Sequence, residues 1–349
     1  MQELKDKARA WWHVKIGGLL VATGVAIVKP PGFGDALLSY INKKYGLGLP
    51  LEPSSWLGCA LILAGMGLIV WGEKLRPEGQ PRVPFVAFRH HSLEPFATPL
   101  LQEDLPPGFK DHAIREIDCD QSGYFSNGFS DPVGAVRLQL EKLTELRGAR
   151  KAFRDTVVGY YGLAHIPLQF LAGFAMSTHA PVCLFDLNRQ TNRWRPLQDR
   201  GPHLGLTVKT MEQPPGAKAV AIRICISYEI TRGDITDVLP HPFDDIVIQL
   251  PTPRIDAIGS SDQVHAVCER FRKILDDIHS RVDKTQLVHV FYAGPAALGF
   301  SLGRQISRTV HHRILVHNYT PTDTPKYSWA VEVTSQTVPE MVRTTANGG

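Results

Sequence analysis

Two stretches of this chain place a glycine turn, a proline and a run of small residues directly after an apolar strand pattern. The sharper is HVFYAGPAALGFSLG, His289 to Gly303. Gly294 permits a tight turn, Pro295 suits the first position of a helix, and Ala296 and Ala297 leave room beside it. The first N–H groups of a helix lack intrahelical acceptors and can face a phosphate. The pattern is neither GxGxxG nor a P-loop, so the usual dinucleotide and triphosphate signatures are absent. The looser stretch has Gly162, then Pro167, then a small-residue helix with Gly173.

Side chains suited to nucleotides gather near the same turns. Around the first stand Tyr161, His165, Asn188, Arg189 and Trp194. Around the second stand Arg304, His317, Asn318, Tyr319, Lys326, Tyr327 and Trp329. Aromatic faces stack bases at about 1–3 kcal/mol each, and Arg or Lys meets phosphates. Tyr327 and Trp329 alternate along one expected strand, and core packing is the competing reading for both. Tyr228, Arg232 and Asp234, at the end of the run AVAIRICISYEI, form a third, weaker group.

Catalytic signatures are missing. There is no GxSxG, no HExxH, no paired Cys/His metal spacing and no kinase motif. His90-His91 and His311-His312 are neighbours in sequence, so on a strand they point to opposite faces and make poor metal pairs. The pattern favours binding over catalysis, with no metal or cofactor.

The elements that must carry these residues read as α/β. VPFVAF (Val83 to Phe88) is a possible strand inside a proline-rich stretch. Asp131-Pro132 opens a helix as N-cap and first position. Strands are expected at Thr156 to Tyr161, Pro181 to Asp186, Ala219 to Ile230 and Asp244 to Leu250. Ser260 or Ser261 caps a helix with apolar positions from Val264 to Ile278. The stretch near residue 160 then resembles the one near residue 294. Gly162 and Pro167 answer to Gly294 and Pro295, Gly173 to Gly303, and CLFDLN (Cys183 to Asn188) to ILVHNY (Ile314 to Tyr319), about 130 residues apart. Two related Rossmann-like halves are therefore expected.

Composition sets the frame. The chain has 349 residues, a net charge of +4 and five scattered cysteines. That charge is too mild for a binder of long nucleic acid. The cysteines form no framework, which agrees with a reducing cytoplasm. Two apolar segments, about 10–28 and 54–72, stand at the start. Each is roughly 19 residues, near the length a helix at ~1.5 Å per residue needs to cross a ~30 Å hydrocarbon core. Trp56 and Trp71 bracket the second segment, and His13 and Lys15 weaken the first. A buried soluble hairpin, or an interfacial first helix, is the competing reading. Basic residues at Lys5, Lys7, Arg9 and Lys15 and at Lys74, Arg76, Arg82 and Arg89 place both ends on the inner side. The expected layout is a membrane hairpin at 1–75, a proline-rich linker and entry to the α/β domain at 76–110, halves at 111–255 and 256–338, and a polar tail at 339–349.

HVFYAGPAALGFSLGRQI, followed by ILVHNY and YSWAVEV, resembles the C-terminal half of SAVED domains, the cyclic-oligonucleotide sensors of CBASS anti-phage defence. GYYGLAHIPLQFLAGFAMS resembles their N-terminal half, and the likeness covers roughly residues 83 to 338. It implies an α/β fold of two fused CARF-like halves. It also implies a cyclic di- or trinucleotide ligand, the trinucleotide favoured, made by a phage-triggered nucleotidyltransferase. The family's binding positions carry over to Gly294, Pro295 and Ala296, and more loosely to the Gly162 to Pro167 turn. With the N-terminal segments, the chain resembles the transmembrane SAVED effectors. That implies a two-pass protein of the bacterial inner membrane with its sensor in the cytoplasm. Ligand-driven self-association would gather the helices and disrupt the bilayer, killing or arresting the cell. The alternatives are a membrane-anchored Rossmann-like enzyme acting on a nucleotide, such as a cyclic-oligonucleotide nuclease, and a membrane scaffold with no small ligand.

Overall fold

The segment FVAFRHH, which overlaps the VPFVAF expected as a possible strand at the entry to the α/β domain, is an interior strand of a five-stranded sheet. In the computed structural model it forms β1 (Phe85–His91), with six of its seven residues buried. The apolar run FVAF, with both alternating faces buried, suits a parallel strand covered on both sides. The structure describes residues 16, 18–21, 43–44, 60–68, 84–93, 98–125, 131–152, 156–176, 181–188, 190–210, 214–239, 242–282, 286–335 and 340–343. The chain divides into two units, Met1–Pro81 and Arg82–Gly349.

In the larger unit, β1 lies between β2 (Ile114–Asp120) and β3 (Val158–Tyr161), parallel to both. Next come β4 (Val182–Asn188), parallel to β3, and β5 (Arg193–Pro196), antiparallel to β4. α1 (Pro132–Ala152) and α2 (Ile166–Ala175) are the crossovers before and after β3. α1 starts as the Asp-Pro pair predicts: the Asp131 carboxylate accepts the Gly134 N–H at 3.0 Å.

A second sheet contains β6 (Thr207–Thr210), β7 (Ala219–Cys225), β8 (Phe243–Gln249), β9 (Leu287–Ala293), β10 (Ile314–Asn318), β11 (Trp329–Glu332) and β12 (Glu340–Arg343). Its order is β12-β11-β10-β9-β7-β8-β6. Its helices are α3 (Arg232–Thr236), α4 (Ser261–Arg281) and α5 (Ala296–Gly303). Without the outer strands β6 and β12, the order β8-β7-β9-β10-β11 repeats β2-β1-β3-β4-β5 of the first sheet, in the same directions. The expected repeat is thus present at the level of topology.

Its border lies elsewhere than expected. The sheets divide between Pro196 and Thr207, not at 255/256, because AVAIRIC and FDDIVIQ take the β1 and β2 places of the second copy. The stretch 76–110 contains β1, and Glu340–Arg343 of the expected polar tail adds an edge strand to β11.

The halves hold each other through α2 and α5. Phe170 of α2 meets Tyr292 of β9 edge-on at 5.5 Å. Reciprocally, Phe300 of α5 stacks on Tyr160 of β3 at 3.9 Å. Phe170 joins the cluster of Ile222, Ile224 and Val290 from the second half, and Phe300 joins that of Val86, Phe88 and Val158 from the first. Each half therefore completes the other's core, at about 1.5–3 kcal/mol per buried phenylalanine.

In the smaller unit, the expected spans 10–28 and 54–72 lie mostly outside the described residues. Residues 18–21 and 60–68 are helical. Among the described residues no helix is long and apolar enough to cross a membrane.

Candidate functional site

Each half builds the same edge at the carboxyl ends of its strands. After β1, the Ser92 and Leu93 N–H groups reach the Leu163 carbonyl at 3.0 and 3.4 Å. After β7, the Ile226 and Ser227 N–H groups reach the Ala293 carbonyl, both at 2.9 Å. These carbonyls flank the two glycine turns. Gly162 has φ +132°, and a Cβ there would overlap the His90 carbonyl oxygen, so only glycine serves. In the second turn the Tyr292 hydroxyl donates to the Pro295 carbonyl at 2.7 Å. Gly294 and Pro295 are half-buried and Ala296 is buried beside them.

The two copies meet at this edge. His165, the N-cap of α2, lies 5.8 Å ring to ring from Trp329 of the second half. Trp329 pairs across the sheet with Asn318, the last residue of β10. Since β9 and β10 are parallel neighbours, the Gly294–Pro295 turn shares that edge. His165, Gly294, Pro295, Ala296, Asn318 and Tyr319 are therefore brought to one rim. Tyr319 is 43% exposed, which leaves a face for a ligand, whereas Asn318 is buried and donates to Thr320 Oγ1 at 3.2 Å. Lys326 stands further along the rim, 3.8 Å from Asp234, so the third candidate group adjoins the second. Tyr228 is 62% exposed there. Arg232 lies over the Phe243 ring and 3.8 Å from Asp245.

Other candidates do not reach the rim. Tyr161 and Trp194 pack edge-on at 5.1 Å in the core of the first sheet's outer face. Tyr161 donates to Glu116, and the Trp194 indole donates to the Thr98 carbonyl at 3.0 Å. Strand alternation decides this: Tyr160 faces the other half, so Tyr161 faces away from it. Tyr327 is also core, edge-on to Phe291 at 4.9 Å. Arg304 caps the far end of α5, a helix length from the turn. Asn188 accepts the N–H groups of Gln190 and Thr191 and so serves a local turn. Arg189 lies outside the described residues. His317 is buried, with Nε2 2.8 Å from Nδ1 of His289.

Ser92 and Phe125 escaped the sequence reading. The Ser92 hydroxyl accepts the His165 backbone N–H at 2.7 Å and lies 2.7 Å from its Nδ1. Phe125 lies 4.0 Å ring to ring from His165 and stacks on Trp329 at 5.8 Å. Only the adjacency of Ser92 to the end of an apolar run could have flagged it. Burial pushes the His165 imidazole down to about 4, so it is neutral at physiological pH. Among the described residues no group of three or more His, Cys, Asp or Glu is placed to hold a metal ion.

Residues 139–333, which include both turns and both crossing helices, match the model of the SMODS-associated and fused to various effectors sensor domain, SAVED. Among solved structures, the Acinetobacter baumannii Cap4 SAVED/CARF-domain containing receptor with the cyclic trinucleotide 2'3'3'-cAAA is similar at a TM-score of 0.47 and 11% identity. That match covers 81% of this chain and 62% of the other. The same receptor with 3'3'3'-cAAA gives 0.47 and 12%, over 84% and 65%. The Moraxella osloensis Cap4 receptor gives 0.43 and 10%, over 83% and 63%. The chain spans less than two thirds of the length of these receptors. No curated protein matches it.

Proposed function

The chain belongs to the SAVED family of sensor domains, and we propose on that premise that it binds a cyclic oligonucleotide at the rim where its two halves meet. In bacterial anti-phage defence, such binding would gather copies of the chain and turn its N-terminal apolar segments against the inner membrane. The ligand proposed is a cyclic di- or trinucleotide, the trinucleotide first, made by a cognate nucleotidyltransferase.

The observation that carries the binding site is the meeting of His165 from one half with Trp329 from the other, on the rim that holds the Gly294–Pro295 turn. The two half-sites are related but unequal. α5 opens with Ala296 and Ala297, both bearing N–H groups, whereas α2 opens with Ile166 and Pro167, and proline bears none. Unequal half-sites suit a ring without two-fold symmetry, which is the reason for placing three nucleotides ahead of two.

The membrane half of the proposal rests on the hydropathy of 10–28 and 54–72. A ligand promotes assembly only if it binds the assembled state more tightly, and one gripped at the joint of two halves can supply that difference. The test places the full chain in dye-loaded vesicles and adds cyclic di- and trinucleotides while particle mass is followed. Dye release and growth in mass with one nucleotide support the proposal. Tight binding with neither release nor growth overturns the effector half and leaves the sensor.

A further inference from the structure

We infer that His165 is the specificity-determining residue of the first half, donating a hydrogen bond from Nε2 to an acceptor atom of the nucleotide. The inference rests on the sensor reading above and deepens it by naming one donor.

The tautomer follows from Ser92. Its hydroxyl oxygen accepts the His165 backbone N–H and lies 2.7 Å from Nδ1. The hydroxyl hydrogen has no other acceptor among the hydrogen bonds of the described residues and is assigned to Nδ1. With Nδ1 an acceptor, Nε2 carries the proton. The direction of that N–H is held by packing. Phe125 lies 4.0 Å from the ring and Trp329 of the other half lies 5.8 Å away. Ser92, Phe125 and Trp329 come from three separate segments and two halves, so the aim of the donor depends on how the halves are seated.

Nε2 has no protein partner among the described residues. The ring is half-buried and Nε2 is not among its buried atoms, so this donor opens toward the rim, where a ligand acceptor can take the place of water. Burial keeps the ring uncharged, so it selects by position rather than by net charge. By N-cap position the residue of the second half that matches His165 is Pro295, which the sequence pattern pairs with Pro167, and its side chain donates nothing. The grip is therefore one-sided, and the acceptor is either a non-bridging phosphate oxygen or a ring nitrogen of a base.

The test measures binding of cyclic trinucleotides to the full chain and to two variants. His165→Phe keeps a ring against Phe125 and Trp329 but removes the donor. His165→Gln removes the ring but returns an N–H near the Nε2 position. The expected result is about tenfold weaker binding by the phenylalanine variant and near-native binding by the glutamine variant. Thermal midpoints with no nucleotide added check that both fold. The opposite order, with phenylalanine native-like and glutamine weak, makes His165 a packing residue and overturns the inference. Phosphorothioate and 7-deazapurine analogues then identify the acceptor: the penalty that disappears in His165→Phe marks the atom His165 contacts. Persistence of both penalties in that variant also overturns the inference. If the wild-type chain binds no cyclic oligonucleotide, the sensor reading fails and takes the inference with it.

Discussion

Gly173 of α2 lies so close to Phe300 of α5 that a Cβ on the glycine would overlap the phenylalanine carbonyl oxygen. The contact is reciprocated: a Cβ on Gly303 would overlap the carbonyl oxygen of Phe170. FLAG in one helix and FSLG in the other thus form one crossing used twice. It fixes how the halves sit and hence where the rim residues meet.

Alanine at Gly173 or Gly303 must therefore push the helices apart, because the obstructing atom is backbone and cannot rotate away. Thermal or denaturant melts should show clear destabilisation. Phe300→Ala should cost about 3–5 kcal/mol through lost burial and the cavity left beside Tyr160. Gly148 is the control. It stands inside α1 with open space where a Cβ would project, so Gly148→Ala should stabilise by roughly 0.5–1 kcal/mol. Equal effects at Gly148 and Gly173 would contradict the close crossing.

Stability should fall in mild acid. Burial holds His165 and His289 down to about 4 and His90 to about 3, and pushes His317 well below its ordinary value. An unfolded histidine takes its proton near pH ~6.5, so below that the unfolded chain binds more protons than the folded one. The stabilisation is complete above about pH 6.5 and is lost progressively toward about pH 4. Melts across this window check it, and a flat profile from about pH 7 to about pH 5 would contradict it.

Arg223 holds the loop after β7. Its guanidinium donates to both oxygens of the buried Asp245, at 2.9 and 2.7 Å, and to the Ile230 carbonyl. Arg223→Met should cost about 3–5 kcal/mol, because it leaves a buried carboxylate short of its closest partner. Hydrogen exchange should then quicken in residues 226–231, which carry the exposed Tyr228. Unchanged protection there would show that the loop is held by other contacts.

Tyr161 and Tyr319 separate core from rim. Tyr161→Phe removes the hydroxyl bonded to Glu116 and should lower stability by about 1 kcal/mol with ligand affinity unchanged. Tyr319→Ala should weaken nucleotide binding with little change in the melt. Reversed effects would return Tyr161 to the site.

Much of this was legible in the residues. The glycine turns, Pro167 in the first turn of α2 and the periodicity from Val264 to Ile278 report local structure and stand where the sequence puts them. Pro295, expected at the first helical position, is instead the N-cap, and α5 begins at Ala296. β1 was harder because prolines crowd both sides of FVAFRHH, and the strands that pair with it and the residues that cover it come from later in the chain. Tyr160 and Tyr161 are indistinguishable by type, and only the position of α5 decides which one faces the other half. Ser92 carries no motif, and its role exists because β1 ends beside the start of α2. The N-terminal spans lie mostly outside the described residues, so their reading still rests on hydropathy.

The measurement that bears most directly on the sensor claim is calorimetric titration of the full chain, in detergent, with a panel of cyclic di- and trinucleotides. The account predicts saturable one-to-one binding of at least one member, weakened in His165→Phe and unchanged in Tyr161→Phe. A folded chain that binds no member would contradict it.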